Sequence, residues 1–168
     1  MIRKTSRLSI TRITIADAPF ILKLVNSPTF KQFIGDRNLK TEEDAANYIQ
    51  SWALGNYAKH GFGPYIVRAI DGNCPVGTCG LFKREKLAYP DLGYAFLPEF
   101  TGLGYASESA QAVIEYAFND LKMPILYAIT NHDNANSIKL LSKLGFNQIP
   151  LKYDANTKVF ELKASSID

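Results

Sequence analysis

The chain has 168 residues, a length that suits one domain with a sizeable core. Its 46% hydrophobic and 21% charged residues make an ordinary globular balance. The formal net charge of +3 comes without any Lys/Arg-rich run, which argues against a nucleic-acid partner. No apolar stretch is long enough to span a bilayer, and Met1–Arg7 lacks the apolar segment of a signal peptide. Cys74 and Cys79 have the wrong spacing for a CxxC site, so free thiols in a cytoplasmic protein are the expectation. No cluster has metal-ligand spacing.

The elements can be read in chain order. Leu8, Ile10, Arg12 and Ile13 alternate roughly, as a first strand does. Asp17-Ala-Pro-Phe20 starts a helix, with Asp17 as its cap and Pro19 in the first turn. Thr41-Glu-Glu-Asp44 resembles a second helix start, and Ala45, Tyr48, Ile49, Trp52 and Ala53 form one face of that helix. Gly61–Pro64 breaks it. Tyr65–Ile70 and Pro75–Phe82 flank Asp71-Gly-Asn73, a hairpin signal. Leu87–Leu97 is the next predicted strand, and Lys83–Lys86 before it reads as a solvated hairpin end.

Past Pro98, the apolar positions Ala106, Ala110, Val113, Ile114, Ala117, Phe118 and Leu121 keep the helical period. Ile125–Ile129 suits a buried parallel strand. A helix follows over about Ala135–Leu144, with Gly145 as its left-handed end. Phe146–Tyr153 and Val159–Leu162 then form a closing hairpin. The whole predicts a single α+β domain over residues 1–168. Its sheet is mostly antiparallel, with one parallel pair where Leu92–Leu97 and Ile125–Ile129 lie side by side.

The functional signal is Gly102-Leu103-Gly104, which sits between a strand and a long helix. The first N–H groups of a helix have no internal partner, and the macrodipole is positive there. Glycines permit positive φ and let a ligand approach the backbone. The turn reads as an anion seat; a tight loop without a ligand is the alternative.

Thr101-Gly-Leu-Gly-Tyr-Ala-Ser-Glu108 and Asn134-Ala-Asn-Ser137, continued to Gly145-Phe146, resemble the GNAT superfamily of N-acetyltransferases, and within it the RimJ/RimL-like branch. Ser6–Arg12, Asp17, Val76–Leu81 and Asp91–Tyr94 match in the same order. Thr101 departs from the pattern, since the superfamily has Gln or Arg there and the branch often has Trp. The resemblance implies a GNAT-like fold whose parallel pair is splayed, and acetyl-CoA as co-substrate with no metal. In it, backbone N–H groups of Gly102, Leu103, Gly104, Tyr105, Ala106 and Ser107 hold the pyrophosphate. Phe96 and Leu97 offer main-chain partners to the pantetheine arm. Asn134, a favoured helix cap on its own sequence, also meets that arm.

The reaction is attack of a neutral amine on a thioester. A lysine-like amine costs about 4.6 kcal/mol to deprotonate at pH 7, an α-amine only about 1.4 kcal/mol. An α-amine therefore needs little more than a modest base. Asp91 is the first candidate, on the family position beside the thioester, with Glu99 and Glu85 as fallbacks. The thiolate wants a proton, and many superfamily members supply it from a helix tyrosine. That position here is Leu141. Ser137 is the nearest substitute, with Tyr94 and Tyr105 as further hydroxyls. Ser137 and Asp91 also have plain structural readings, as a first-turn hydroxyl and a strand-start carboxylate. His60 and His132 read as loop residues. The Phe30–Arg37 loop and Thr41–Lys59 helix are candidates for the acceptor wall.

The expected partner is an amine: a protein or peptide N-terminus, or alternatively a small-molecule amine. A CoA-binding module without catalysis is the competing class. Neither nucleic acid nor membrane is expected, and the chain is read as a monomer or homodimer.

Overall fold

The computed structural model describes residues 1–166. Eight strands form one sheet in the order β1-β2-β3-β4-β5-β6-β8-β7. They are β1 Arg3–Lys4, β2 Leu8–Arg12, β3 Pro64–Ala69, β4 Cys74–Phe82, β5 Asp91–Phe96, β6 Ile125–Asn131, β7 Asn147–Ile149 and β8 Thr157–Lys163. All neighbours are antiparallel except β5 and β6, which are parallel. The expected α+β fold with one parallel pair is therefore the fold observed.

Between β2 and β3 lie α1 Ala18–Val25, α2 Pro28–Phe33, α3 Glu42–Ile49 and α4 Gly55–His60. A π-helical turn, Gln50–Leu54, joins α3 to α4 without a break. Thr41 caps α3 as its sequence suggests: its hydroxyl accepts the Asp44 N–H at 3.0 Å, and the Asp44 carboxylate accepts the Thr41 N–H at 2.9 Å. Gly61, at φ +77°, ends α4.

Asp17 behaves differently from a helix cap. Its carboxylate accepts the Thr14 N–H at 2.9 Å and pairs with Arg68 of β3. The bond closes a short 3-10 turn, Ile15–Asp17, ahead of α1. The predicted strand Leu87–Leu97 begins only at Asp91. Lys83 Nζ donates to the Leu87 carbonyl at 2.6 Å, and the Leu87 side chain enters a small second core with Tyr127 and Val159. The segment before Pro90 is thereby folded back as a loop. β1 and α2, only 2 and 6 residues long, are too short to stand out in the sequence.

After β5, α5 Tyr105–Glu115 runs into a π-helical turn, Tyr116–Asp120. It packs on β1, β2, β4 and β5. Its Ala110, Val113 and Ile114 are fully buried, each larger side chain contributing about 1.5–3 kcal/mol. Strand alternation assigns the two faces. Tyr65, Cys79 and Tyr94 lie opposite one another across β3, β4 and β5. Tyr65 meets Tyr116 edge-on at 6.0 Å, so these three look toward α5. Arg68 has the other parity and meets Asp17, so the start of α1 lies on the opposite face, while Tyr57 of α4 reaches round to stack on Tyr65 at 5.9 Å. α6 Ala135–Lys143 follows β6, and Gly145 at φ +96° turns the chain into β7.

Candidate active site

β5 and β6 are in register at a single pair, Asp91 with Tyr127, supported by the Tyr127 N–H donating to the Pro90 carbonyl at 2.9 Å. Beyond that vertex the strands part, toward Phe96 on one arm and Asn131 on the other. Along β5 the main-chain groups alternate between β4 and the gap. The Leu97 N–H donates to the Val76 carbonyl at 3.0 Å, and the Leu97 carbonyl accepts the Phe100 N–H at 3.0 Å. The Leu97 N–H is therefore engaged within the fold, while its carbonyl keeps one lone pair free. Phe96, one residue earlier, directs its amide into the gap.

At the end of this arm, Pro98–Phe100 makes a 3-10 turn and the glycine loop follows. Gly102 and Gly104 take φ of +76° and +83°, the left-handed region that glycine enters at no steric cost. A Cβ on Gly102 would meet nothing within 4 Å. Gly104 is the N-cap of α5, and no side chain caps this end. The first internal bond runs from the Glu108 N–H to the Gly104 carbonyl at 3.0 Å. The amides of Tyr105, Ala106 and Ser107 precede it, facing out beside an exposed Leu103.

Two residues not singled out for the site brace this loop. Arg7 Nη1 donates to the Leu103 carbonyl at 2.8 Å, and Arg7 Nε to Glu108 Oε2 at 2.7 Å. The guanidinium also lies 4.9 Å from the Tyr105 ring centroid. Both residues stand inside matched motifs, but 101 residues separate them, so the sequence does not show that they meet.

On the other arm, Asn134 caps α6: its Oδ1 accepts the Ser137 N–H at 3.2 Å. The Ser137 hydroxyl is 2.7 Å from the Tyr94 hydroxyl, a bond from β5 to the first turn of α6 across the gap. Burial pushes the Tyr94 phenol up to about 12, even with Ser137 beside it. Leu141, at the position where the resemblance led a tyrosine to be expected, is 1% exposed in the core.

Asp91 has the opposite parity from Tyr94, so it lies on the face away from α5. It is 2% exposed, and Arg84 Nε donates to its Oδ1 at 2.8 Å. Burial raises its carboxyl above the usual range, and Arg84 holds that rise in check. The patch Lys83–Lys86, solvated by its sequence, thus supplies the partner of a buried acid. Arg84 also stands over the Phe82 and Tyr153 rings at 5.8 Å. Of the fallbacks, Glu99 is tied to Lys23 at 3.0 Å on the surface, and Glu85 is exposed.

A cavity of about 380 Å³ opens where β6 ends, lined by Gln32, Phe33, Asn131, His132, Asp133 and Asn156. Asn131 Nδ2 donates to the Phe33 carbonyl at 3.1 Å, which fastens the end of β6 to α2 and sets the cavity on the Asp91 face. Gln32 and Phe33 belong to the Phe30–Arg37 stretch expected to wall the acceptor; His132 and Asp133 are plain loop residues on the sequence alone. Among the described residues, no group of three or more His, Cys, Asp and Glu could hold a metal ion, and no helix is long and apolar enough to cross a membrane.

A family model described as an acetyltransferase (GNAT) domain matches residues 7–147. The uncharacterized N-acetyltransferase YoaA of Bacillus subtilis (strain 168) is 31% identical over 148 residues, covering 88% of this chain and 83% of that protein. The ribosomal-protein α-N-acetyltransferase RimL, solved in complex with coenzyme A, superimposes with a TM-score of 0.81 at 16% identity, over 96% of this chain and 97% of that one. A chimeric spermidine N-acetyltransferase from Vibrio cholerae and hSSAT gives 0.78 at 14% identity, over 96% and 98%. At these identities the two solved structures attest the fold. The domain match spans most of the sequence, and this chain belongs to the GNAT acetyltransferase family. It is an acyltransferase that draws its acetyl group from acetyl-CoA. The open glycine turn and uncapped α5 are groups that could hold a pyrophosphate, and the Phe96 amide is one that could meet a ligand lying in the gap between β5 and β6.

Proposed function

We propose that this enzyme acetylates an α-amine, the N-terminus of a protein or peptide, by direct attack within a ternary complex. One observation carries the reading: the carboxylate at the vertex, Asp91, is buried and held by Arg84. Even raised by burial, a carboxylate paired with Arg84 is a modest base beside an amine of lysine type, whose deprotonation at pH 7 costs about 4.6 kcal/mol. An α-amine, at about 1.4 kcal/mol, asks far less of it. The acceptor-side cavity supports the same class. Its lining, which mixes Phe33 with polar side chains, carries one acid, Asp133, too little charge to select a polyamine.

In this reading Gly102–Ser107 hold the pyrophosphate and Asn134 meets the pantetheine arm. The Phe96 N–H donates to the thioester carbonyl as it gains charge. Asp91 receives the proton shed by the amine, and Ser137 donates toward the departing sulfur. The test is a thiol-release assay on three acceptors: a peptide with a free N-terminus, the same peptide N-terminally blocked but carrying a lysine, and spermidine. Turnover is expected with the first. Turnover confined to the lysine peptide or to spermidine overturns the assignment.

A further inference from the structure

We propose that Tyr94 is a positioning residue for acetyl transfer, acting through Ser137 on the departing sulfur. This rests on the reading of Ser137 as the hydroxyl that serves the thiolate. Ser137 and Leu141 are four residues apart on α6, and so share a helix face. The face where the resemblance implies a tyrosine carries a buried leucine here, and one turn before it a tyrosine arrives from β5 instead. Its hydroxyl is 2.7 Å from Ser137 Oγ.

A lone serine hydroxyl rotates freely and can satisfy itself on neighbouring backbone. Either hydroxyl could donate in this bond; in the proposed arrangement the Tyr94 O–H donates into Ser137 Oγ, and Ser137 directs its own hydrogen into the gap where the thioester lies. The phenol suits the donor role because burial keeps it protonated across the working pH range. It is also anchored from below, since β5 is bonded to β4 throughout Asp91–Phe96.

The step balances with water as the only further reactant. The acceptor nitrogen bonds to the acetyl carbon, the C–S bond breaks, and its electron pair leaves on sulfur. The nitrogen sheds one proton to Asp91; the thiolate leaves hydrogen-bonded by the Ser137 O–H and takes its own proton from water, so Ser137 keeps its hydrogen. Tyr94 stays a phenol throughout, polarising Ser137 as charge grows on sulfur.

The experiment compares Tyr94→Phe, Ser137→Ala and the double variant in the full chain. It reads kcat, KM for acetyl-CoA, the solvent isotope effect on kcat, and CoA affinity by calorimetry, with thermal melting as a check of folding. Tyr94→Phe is expected to lower kcat about tenfold and shift the isotope effect, with CoA affinity within about twofold of wild type. The double variant is expected to be no slower than the slower single variant, because both changes disable one unit. If Ser137→Ala is slow while Tyr94→Phe matches wild type, the role of Tyr94 is overturned and that of Ser137 stands. The role of Tyr94 is likewise overturned if the two losses multiply, or if Tyr94→Phe acts through CoA affinity or melting alone. If Ser137→Ala matches wild type, the reading of Ser137 falls and Tyr94 with it.

Discussion

Arg7 and Glu108 form an ion pair at 2.6 Å that fastens the bend between β1 and β2 to the first turn of α5. Glu108 also accepts the Thr5 hydroxyl at 2.6 Å and the Arg7 N–H at 3.1 Å. Burial would raise its carboxyl, but these bonds together outweigh burial and leave it below its ordinary 4.5. A depressed acid contributes stability above its unfolded value that is lost as pH falls toward the folded one. The melting temperature should therefore decline below about pH 4.5 in wild type and more shallowly in Glu108→Gln. Glu108→Gln should also raise KM for acetyl-CoA, because Arg7, which holds the Leu103 carbonyl, loses its anchor. A melting profile unchanged in shape would mean that Glu108 contributes no such stability.

The two turn glycines should respond unequally to alanine. Both have positive φ, which costs an L-residue about 1–2 kcal/mol. A Cβ on Gly102 meets open space, whereas one on Gly104 comes 3.1 Å from Arg7 Nη2. Gly102→Ala isolates the backbone cost and the loss of room for a phosphate. Gly104→Ala adds displacement of Arg7, and Gly104→Val more so. KM for acetyl-CoA should rise about tenfold for each 1.4 kcal/mol of binding lost, in the order Gly102→Ala, Gly104→Ala, Gly104→Val. Measured KM values equal to wild type in folded variants would show that the pyrophosphate sits elsewhere.

The buried pair Arg84–Asp91 should be asymmetric. Arg84 is 40% exposed in its side chain and Asp91 3%, so a guanidinium left alone can turn to solvent while a carboxylate left alone cannot. Arg84→Met should destabilise by about 3 kcal/mol, the low end for breaking a buried pair. Asp91→Asn should destabilise less. Urea unfolding reads both. If Asp91 takes up the amine proton, Asp91→Asn should also lower kcat most at low pH, where the amine is charged. A flat loss of kcat across pH would leave it a structural acid.

The sequence shows what is local. The left-handed glycines, the capping box of Thr41 and Asp44, and the Asn134 cap are each written within a few residues, and each is found. Contacts between distant residues are not legible in it. Tyr94 and Ser137 are 43 residues apart, and only the parting of β5 from β6 brings them together. The charge run Lys83–Lys86 looks solvated because nothing nearby in sequence says that Arg84 folds onto Asp91. The π-helical turns after Ile49 and Glu115 keep helical spacing closely enough that no residue pattern announces them.

Leu141 supplies the last test. Introducing the tyrosine that the resemblance implies should not restore a function, because this position is filled: Leu141 is 1% exposed, and its carbonyl accepts the Phe146 N–H at 3.0 Å. Leu141→Tyr adds volume to a packed site, which costs about 1–3 kcal/mol, and brings a hydroxyl into a core that offers it no designated partner. The variant should melt lower than wild type, and kcat should stay level or fall. A rise in kcat at unchanged stability would mean that a tyrosine at this position can serve the thiolate in place of Ser137.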